Sequence, residues 1–539
     1  MGLERADLPP PNRMGAPPRF TKWRRGQDLS LSHLIEERCR FPVECVPTGV
    51  GKTLIYITNA LLTGKRTAAL TSTKGLQDQL EREFPGSVVD IRGKGNYPCI
   101  GYQDIFKGYK HLLLKTGRRF EGGLPSCEEG PCFSGEQCLY KAGACHYFTS
   151  YRAALRAQIV STNYSYWLSI HAWGGGLGNF DALALDEAHN SPAELSAHLR
   201  IELSDWEVDK ILESSFPRSN SLEEWCRWAQ QRLTWIELRQ ADLRADPRRY
   251  RERRTLAKVK AKIEYLSFIR GEWVKMKTRD GIAWQALWPG PYAESRLFLE
   301  IPQVALFSAT VREKTCDLLQ IPSKDRLFHE YDSPFPARRR PVYMIPTTRV
   351  DWKWTEAHKT EWVIGIDRFI KRRLDRKGII HTVSYDRAKL LLERSDFREV
   401  MWSHTTRTTA EVVERFKAAA PPAILVSPSV MTGWNFPYEE CEFQIVGKLP
   451  FPNSSDPVTK ARQKDDGDYG PFLCMTNLVQ MVGRGMRATD DACETGIFDD
   501  HARWFIPKYE HFAPRWFMEA IVWVDSSPKP PPKLERKEG

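Results

Sequence analysis

Short apolar runs alternate with amphipathic helical stretches along most of this chain. The runs at 41–46, 67–71, 157–161, 182–185 and 303–307 form one set of predicted buried strands. Those at 378–382, 423–426 and 443–446 form a second. Continuous apolar strands separated by helices are the pattern of parallel sheet covered on both faces. Two sets predict two α/β domains, each built on a parallel sheet.

Two segments break the alternation. Residues 99–145 are rich in Cys and Gly. Residues from about 205 to 290 read as wholly helical and heavily charged, as in Arg248-Arg249-Tyr250-Arg251-Glu252-Arg253-Arg254. Both read as insertions into the first domain. The expected layout is a disordered tail at 1–19, a first domain at 20–98, 146–204 and 291–315, insertions at 99–145 and 205–290, a second domain at 316–525, and a disordered tail at 526–539. The tails are expected because both are rich in Pro and in charged or flexible residues.

Composition adds a partner class. The chain has 539 residues, 41% of them hydrophobic, and a formal net charge of +11. A basic surplus of this size favours a polyanion such as nucleic acid. The 18 Trp, 18 Tyr and 25 Phe are enough both to fill cores and to stack on unpaired bases. No run of about 18 apolar residues predicts a membrane span. The first ten residues lack the apolar centre of a secretory signal. A cytoplasmic, reducing setting is therefore expected, in which the 12 cysteines are metal ligands before they are disulfides.

The sharpest local signal is Val46-Pro47-Thr48-Gly49-Val50-Gly51-Lys52-Thr53, between a predicted strand and a predicted helix. A loop of this kind cradles phosphate. Gly49 and Gly51 let backbone N–H groups turn inward, and the helix N-terminus adds partial positive charge. Lys52 is expected to bridge the β- and γ-phosphates of ATP, and the Thr53 hydroxyl to bind Mg²⁺. Thr48, Val50 and the two glycines would line the nucleotide. Downstream, Leu183-Ala184-Leu185-Asp186-Glu187-Ala188-His189 places two carboxylates at a strand's C-terminal end. Asp186 is expected to hold Mg²⁺ and Glu187 to polarise the attacking water, with His189 sensing the γ-phosphate. Gln27 is positioned to read an adenine edge with its amide.

A motor needs a second domain that closes on the nucleotide. Gln480-Met481-Val482-Gly483-Arg484-Gly485-Met486-Arg487 is the candidate. Arg484 and Arg487 share a helix face and can act as arginine fingers. Ser308-Ala309-Thr310 ends a strand where hydroxyls can couple nucleotide state to domain movement. The cysteines Cys99, Cys127, Cys132, Cys138 and Cys145 offer five thiolates to a [4Fe–4S] cluster or a zinc ion; spacing does not choose between them.

Taken in order, these motifs resemble the DinG/XPD iron–sulfur helicases of superfamily 2, over residues 20 to 523. Cys145-His146-Tyr147-Phe148 followed by Ile159-Val160-Ser161-Thr162-Asn163-Tyr164 is similar to the stretch that closes that family's cluster. Lys448-Leu449-Pro450-Phe451-Pro452 is similar to a loop of its second motor domain. The resemblance implies two RecA-like motor domains and a [4Fe–4S] cluster on Cys99, Cys138, Cys145 and either Cys132 or Cys127, with Cys132 set ahead. It implies that 205–290 is a helical arch, that single-stranded DNA threads past it, and that movement runs 5′ to 3′; a monomer acting on forked duplex is expected, and the compact length points to a bacterial or viral origin. The chain departs from the family at Gly433-Trp434-Asn435, where Asp usually stands in the place of Asn435. Two other functions are compatible with the motifs: an ATPase that remodels protein–DNA complexes, and a metal-stabilised nucleic-acid-binding module with weak ATPase.

Overall fold

The computed structural model describes residues 8–102, 120, 124–134, 137–173, 175–243, 249–405, 407–428, 434, 436–485 and 491–531. Two seven-stranded parallel sheets organise it. In chain order the strands of the first half are β1 (Phe41–Cys45), β2 (Thr67–Thr71), β3 (Val88–Asp90), β4 (Ile159–Asn163), β5 (Ala182–Asp186), β6 (Ile201–Ser204), β7 (Trp273–Lys277), β8 (Gly281–Ala286), β9 (Gln303–Ser308) and β10 (Arg326–Glu330). The first sheet runs β10-β1-β9-β5-β2-β4-β3. The second half contributes β11 (Val342–Met344), β12 (Lys377–His381), β13 (Met401–Ser403), β14 (Ala423–Ser427), β15 (Phe443–Val446), β16 (Glu494–Ile497) and β17 (Ile521–Trp523), ordered β13-β14-β12-β15-β16-β11-β17. Strands β1, β2, β5, β9, β12, β14, β15 and β16 are buried along their whole length, as sheets covered by helices on both faces require. All eight strands expected from the apolar pattern are present, each within two residues of the expected limits.

Four expectations need correction. Residues 205–290 are not wholly helical. Helices Leu222–Leu243 and Tyr250–Phe268 pack on each other, but β7 and β8 follow and join β6 in an antiparallel sheet. Trp225, fully buried against Trp228 and Trp284, fastens the helices to that sheet. The first domain does not end at 315, because β10 pairs in parallel with β1. The described part of the tail at 1–19 is not disordered: Met14 and Ala16 are buried and Trp23 donates to Pro9 O at 2.7 Å. In the tail at 526–539, the described residues lie along the second lobe, where Arg373 donates to Pro528 O at 3.4 Å. Among the described residues no helix is long and apolar enough to cross a membrane.

Candidate active site

Strand β1 runs directly into the phosphate loop. Gly49 and Gly51 adopt φ of +76° and +92°, a region open to glycine at little cost. A Cβ on Gly51 would also stand 2.9 Å from Gln27 Nε2. The helix Lys52–Thr63 starts immediately, so its unpaired N–H groups face the loop. The loop is braced from outside. Arg24 donates to Gly49 O at 2.6 Å, and Gln27 Nε2 donates to Val50 O at 2.7 Å and Gly51 O at 3.1 Å. Gln27 Oε1 accepts from Arg24 N at 2.8 Å. The Gln27 amide, expected to meet adenine, is engaged here with the loop itself. Arg24 was missed by the sequence reading; its place three residues before Gln27 was the available signal.

Strand β5 ends in the two carboxylates. Asp186 is buried, and burial first of all pushes its carboxyl up to about 6, with Lys52 opposing and Glu187 adding to the rise. Tyr56, also missed from sequence, donates to Asp186 Oδ2 at 3.5 Å. Glu187 takes φ +50°, a left-handed conformation rare for a residue with a Cβ and frequent at functional sites. Its Oε1 stands 3.7 Å from Lys52 Nζ. Lys52, Thr53, Asp186 and Glu187, expected to act together, are brought together.

From this cluster a hydrogen-bond chain crosses to the second lobe. His189 Nδ1 meets Ser308 Oγ at 2.7 Å, and Ser308 Oγ lies 3.3 Å from Thr310 Oγ1. Gln480 Nε2 donates to Thr310 Oγ1 at 2.9 Å, and Arg484 donates to Gln480 Oε1 at 3.1 Å. Burial holds His189 down to about 4, so its ring is neutral near pH 7. Burial also lowers Arg484, with Glu187 pulling the other way. Gly483 lies against the phosphate loop: a Cβ there would be 3.2 Å from Thr48. Gln27, Lys52, Thr53, Asp186, Glu187 and His189 line a cavity of about 600 Å³, entered from the second lobe by Gln480, Arg484 and Pro437. Arg487, Gly433 and Asn435 lie outside the described residues.

Among its described residues, the cysteine segment forms short turns at Cys127–Glu129, Pro131–Ser134 and Leu139–Ala142. Cys127 is within interaction range of both Cys99 and Cys145, and its thiol donates to Pro98 O at 3.3 Å. That proximity raises the Cys127 thiol and is the largest cause lowering Cys99 and Cys145, the last to about 6. Cys132 and Cys138 are half-buried beside them, with Cys99, Cys138 and Cys145 all within electrostatic reach of Cys132. The sequence reading set Cys132 ahead of Cys127 as the fourth ligand; the structure ties Cys127 to Cys99 and Cys145. Glycine backbone hugs the thiols. A Cβ on Gly130 would stand 2.5 Å from Cys99 Sγ, and one on Gly101 3.1 Å from Cys138 Sγ. A cradle of soft ligands without intervening side chains suits an inorganic cluster or a zinc ion.

A second cavity, about 820 Å³, lies where this segment meets the first lobe and the helix Tyr250–Phe268. Lys74, Lys94, Phe133, Tyr147, Tyr166 and Trp173 line it. The helix is fastened to the cysteine segment by Tyr250 Oη, which donates to Glu129 O at 2.7 Å, and by Lys258, whose ammonium lies 5.5 Å from the Phe133 ring centre.

The comparisons agree with this architecture. Residues 376–520 match the family described as "Helicase C-terminal domain". An "ATP-dependent DNA helicase YoaA" from Haemophilus influenzae is 29% identical over 185 residues, 27% of this chain and 29% of that protein. The solved structure titled "XPD_Helicase" superposes with a TM-score of 0.58 at 13% identity, over 92% of this chain and 98% of its own. "Structure of S. tokodaii Xpd4" gives 0.54 at 13%, over 92% and 99%. Residues 376–520 are thus similar to a helicase C-terminal domain, and the chain shares the fold of these XPD structures. Its two parallel sheets accordingly form two RecA-like α/β domains. The stretch shared with the Haemophilus helicase spans less than a third of that protein's length.

Proposed function

We propose that the chain is an ATP-driven DNA helicase that moves 5′ to 3′ along single-stranded DNA as a monomer and opens forked duplex. The observation that carries this reading is the cavity in which Lys52, Thr53, Asp186 and Glu187 of one lobe meet Arg484 of the other. ATP with Mg²⁺ would bind there, on the phosphate loop, with Asp186 and Thr53 holding the ion. Glu187 orients the attacking water, and Arg484, joined on closure by Arg487, offsets charge on the transferred phosphoryl group. The chain from His189 through Ser308, Thr310 and Gln480 to Arg484 makes nucleotide state and lobe position one mechanical variable. The unpaired strand would pass through the second cavity, where lysines meet phosphates and aromatic rings meet bases.

Cys99, Cys138 and Cys145, with Cys127 or Cys132, would hold a [4Fe–4S] cluster. When bound, that group supplies a rigid cross-link between the short turns that carry these cysteines. Glu128, Cys132 and Phe133 hold the cavity wall; Tyr250 and Lys258 carry its position to the helical insertion.

The decisive experiment uses protein purified without oxygen, with a visible spectrum and an iron count, and then unwinding assays on duplexes with 5′ or 3′ single-stranded tails. Unwinding of the 5′-tailed substrate alone, abolished by Lys52→Ala, is expected. Unwinding by Lys52→Ala, or a preference for the 3′ tail, refutes the reading.

A further inference from the structure

Away from the nucleotide cavity, where β10 joins β1, two imidazoles and a carboxylate converge. Glu44 of β1 is in register with His329 of β10, and the helix Gln27–Glu36 brings His33 to both. The two rings stack with centres 4.0 Å apart. One donor atom each from His33, Glu44 and His329 lies within 4.8 Å of the others. A point therefore exists within about 2.8 Å of all three (4.8 Å divided by √3). Small side-chain rotations would shorten that to the 2.0–2.2 Å of a metal–ligand bond.

Glu44 is fully buried in an otherwise apolar strand. Its Oε2 accepts from Ser30 Oγ and Tyr331 Oη, each at 2.6 Å. Its Oε1 is buried with no hydrogen-bond partner. A carboxylate oxygen left so is destabilising unless something positive or protonated meets it. The hydrogen-bond pattern also sets the rings. Tyr331 donates to Glu44, so His33 Nδ1, 2.7 Å from Tyr331 Oη, is the donor in that contact. His329 Nε2 donates to Glu37 Oε2 at 2.8 Å. An imidazole hydrogen-bonded through one ring nitrogen keeps the other available to a metal when the ring is neutral. A carboxylate behind a histidine, as Glu37 stands behind His329, is the usual outer support of a metal ligand.

We propose that His33, Glu44 and His329 form a binding site for a divalent first-row transition ion, zinc foremost. Two imidazole ligands disfavour Mg²⁺ and Ca²⁺, which take oxygen. The site is separate from both the nucleotide cavity and the cysteine segment, and its role is architectural. It ties the helix whose first residue, Gln27, grips the phosphate loop to the strand that feeds that loop. The proposal does not depend on the helicase reading.

The test uses the full chain, purified without oxygen and loaded with iron, then equilibrated with one equivalent of Zn²⁺ and washed. Zinc and iron are counted, and zinc X-ray absorption reads the ligand shell. One zinc per chain is expected, in a shell of nitrogen and oxygen at about 2.0–2.1 Å with no sulfur at about 2.3 Å. His33→Gln and His329→Gln are each expected to lower retained zinc at least tenfold while the zinc-free melting temperature stays put. If His329→Gln fails to fold, the half-buried His33→Gln decides alone. No retained zinc, sulfur in its shell, or wild-type retention by the folded variants overturns the proposal.

Discussion

Thr310→Val tests the link between the lobes with almost no change of shape. The substitution removes the hydroxyl that accepts from Gln480 Nε2 at 2.9 Å. Thr310 is 2% exposed and Gln480 4%, so water cannot replace the lost partner. Leaving a buried donor unpaired costs about 1–3 kcal/mol. The bond spans the two lobes, so the loss falls on the joined state. At about 1.4 kcal/mol per factor of ten, the catalytically closed population falls roughly 5- to 150-fold. Lys52, Thr53 and Asp186 keep their places, so nucleotide affinity should change less than about threefold. The assay pairs DNA-stimulated ATP turnover with the Kd of a fluorescent ATP analogue. A lower kcat at near-constant Kd is expected, with Thr310→Ser close to wild type because it keeps the hydroxyl. Turnover within twofold of wild type, or an equal loss in Kd, would refute the coupling argument.

Three further outcomes follow from other parts of the chain. Arg373 donates to both oxygens of Glu494 at 2.8 and 2.7 Å, with neither side chain exposed, so Arg373→Ala should cost about 3–5 kcal/mol in urea unfolding while Arg373→Met with Glu494→Leu costs less; equal losses would reject that account. Asp186 titrates near 6, raised by burial, so it loses the charge Mg²⁺ needs as pH falls through 6: the Mg²⁺ giving half-maximal ATP turnover should rise between pH 7 and 5.5 and be flat above 7, and a flat profile throughout would contradict it. Cys127→Ser should lower iron per chain more than Cys132→Ser, because the Cys127 thiol interacts with both Cys99 and Cys145; full iron in Cys127→Ser gives the fourth position to Cys132.

Strands were readable wherever burial on both faces left a continuous apolar run. The strands that escaped notice lack that mark for identifiable reasons. β3, β11, β13 and β17 are three residues each, too short for any period. β10, Arg-Leu-Phe-His-Glu, carries three polar residues because it lies at the sheet's edge, and that hid the true end of the first lobe. β7, Trp-Val-Lys-Met-Lys, alternates as a half-exposed antiparallel strand does, but follows two charged helices and was absorbed into them.

The site divides along a similar line. The phosphate loop and the Asp186-Glu187 pair are contiguous, so the spacing of residues carries their geometry, and the structure brings them together as expected. The partners that define what those groups can do come from far along the chain: Gly49 from Arg24, Asp186 from Tyr56, Thr310 from Gln480, Glu44 from Tyr331. Gln27 shows the consequence. Its amide has the donor and acceptor an adenine edge requires, yet both are engaged by Val50, Gly51 and Arg24. If adenine is read by Gln27, binding must exchange at least one of those bonds, and the loop then loosens as the base docks. If the bonds persist, base selection belongs to other side chains and Gln27 is a brace. Gln27→Glu separates the two. A carboxylate cannot donate to the Val50 and Gly51 carbonyls, so a brace predicts a weaker grip on every nucleoside triphosphate alike. A reader of adenine predicts loss confined to ATP, measurable as the ratio of ATP to GTP turnover.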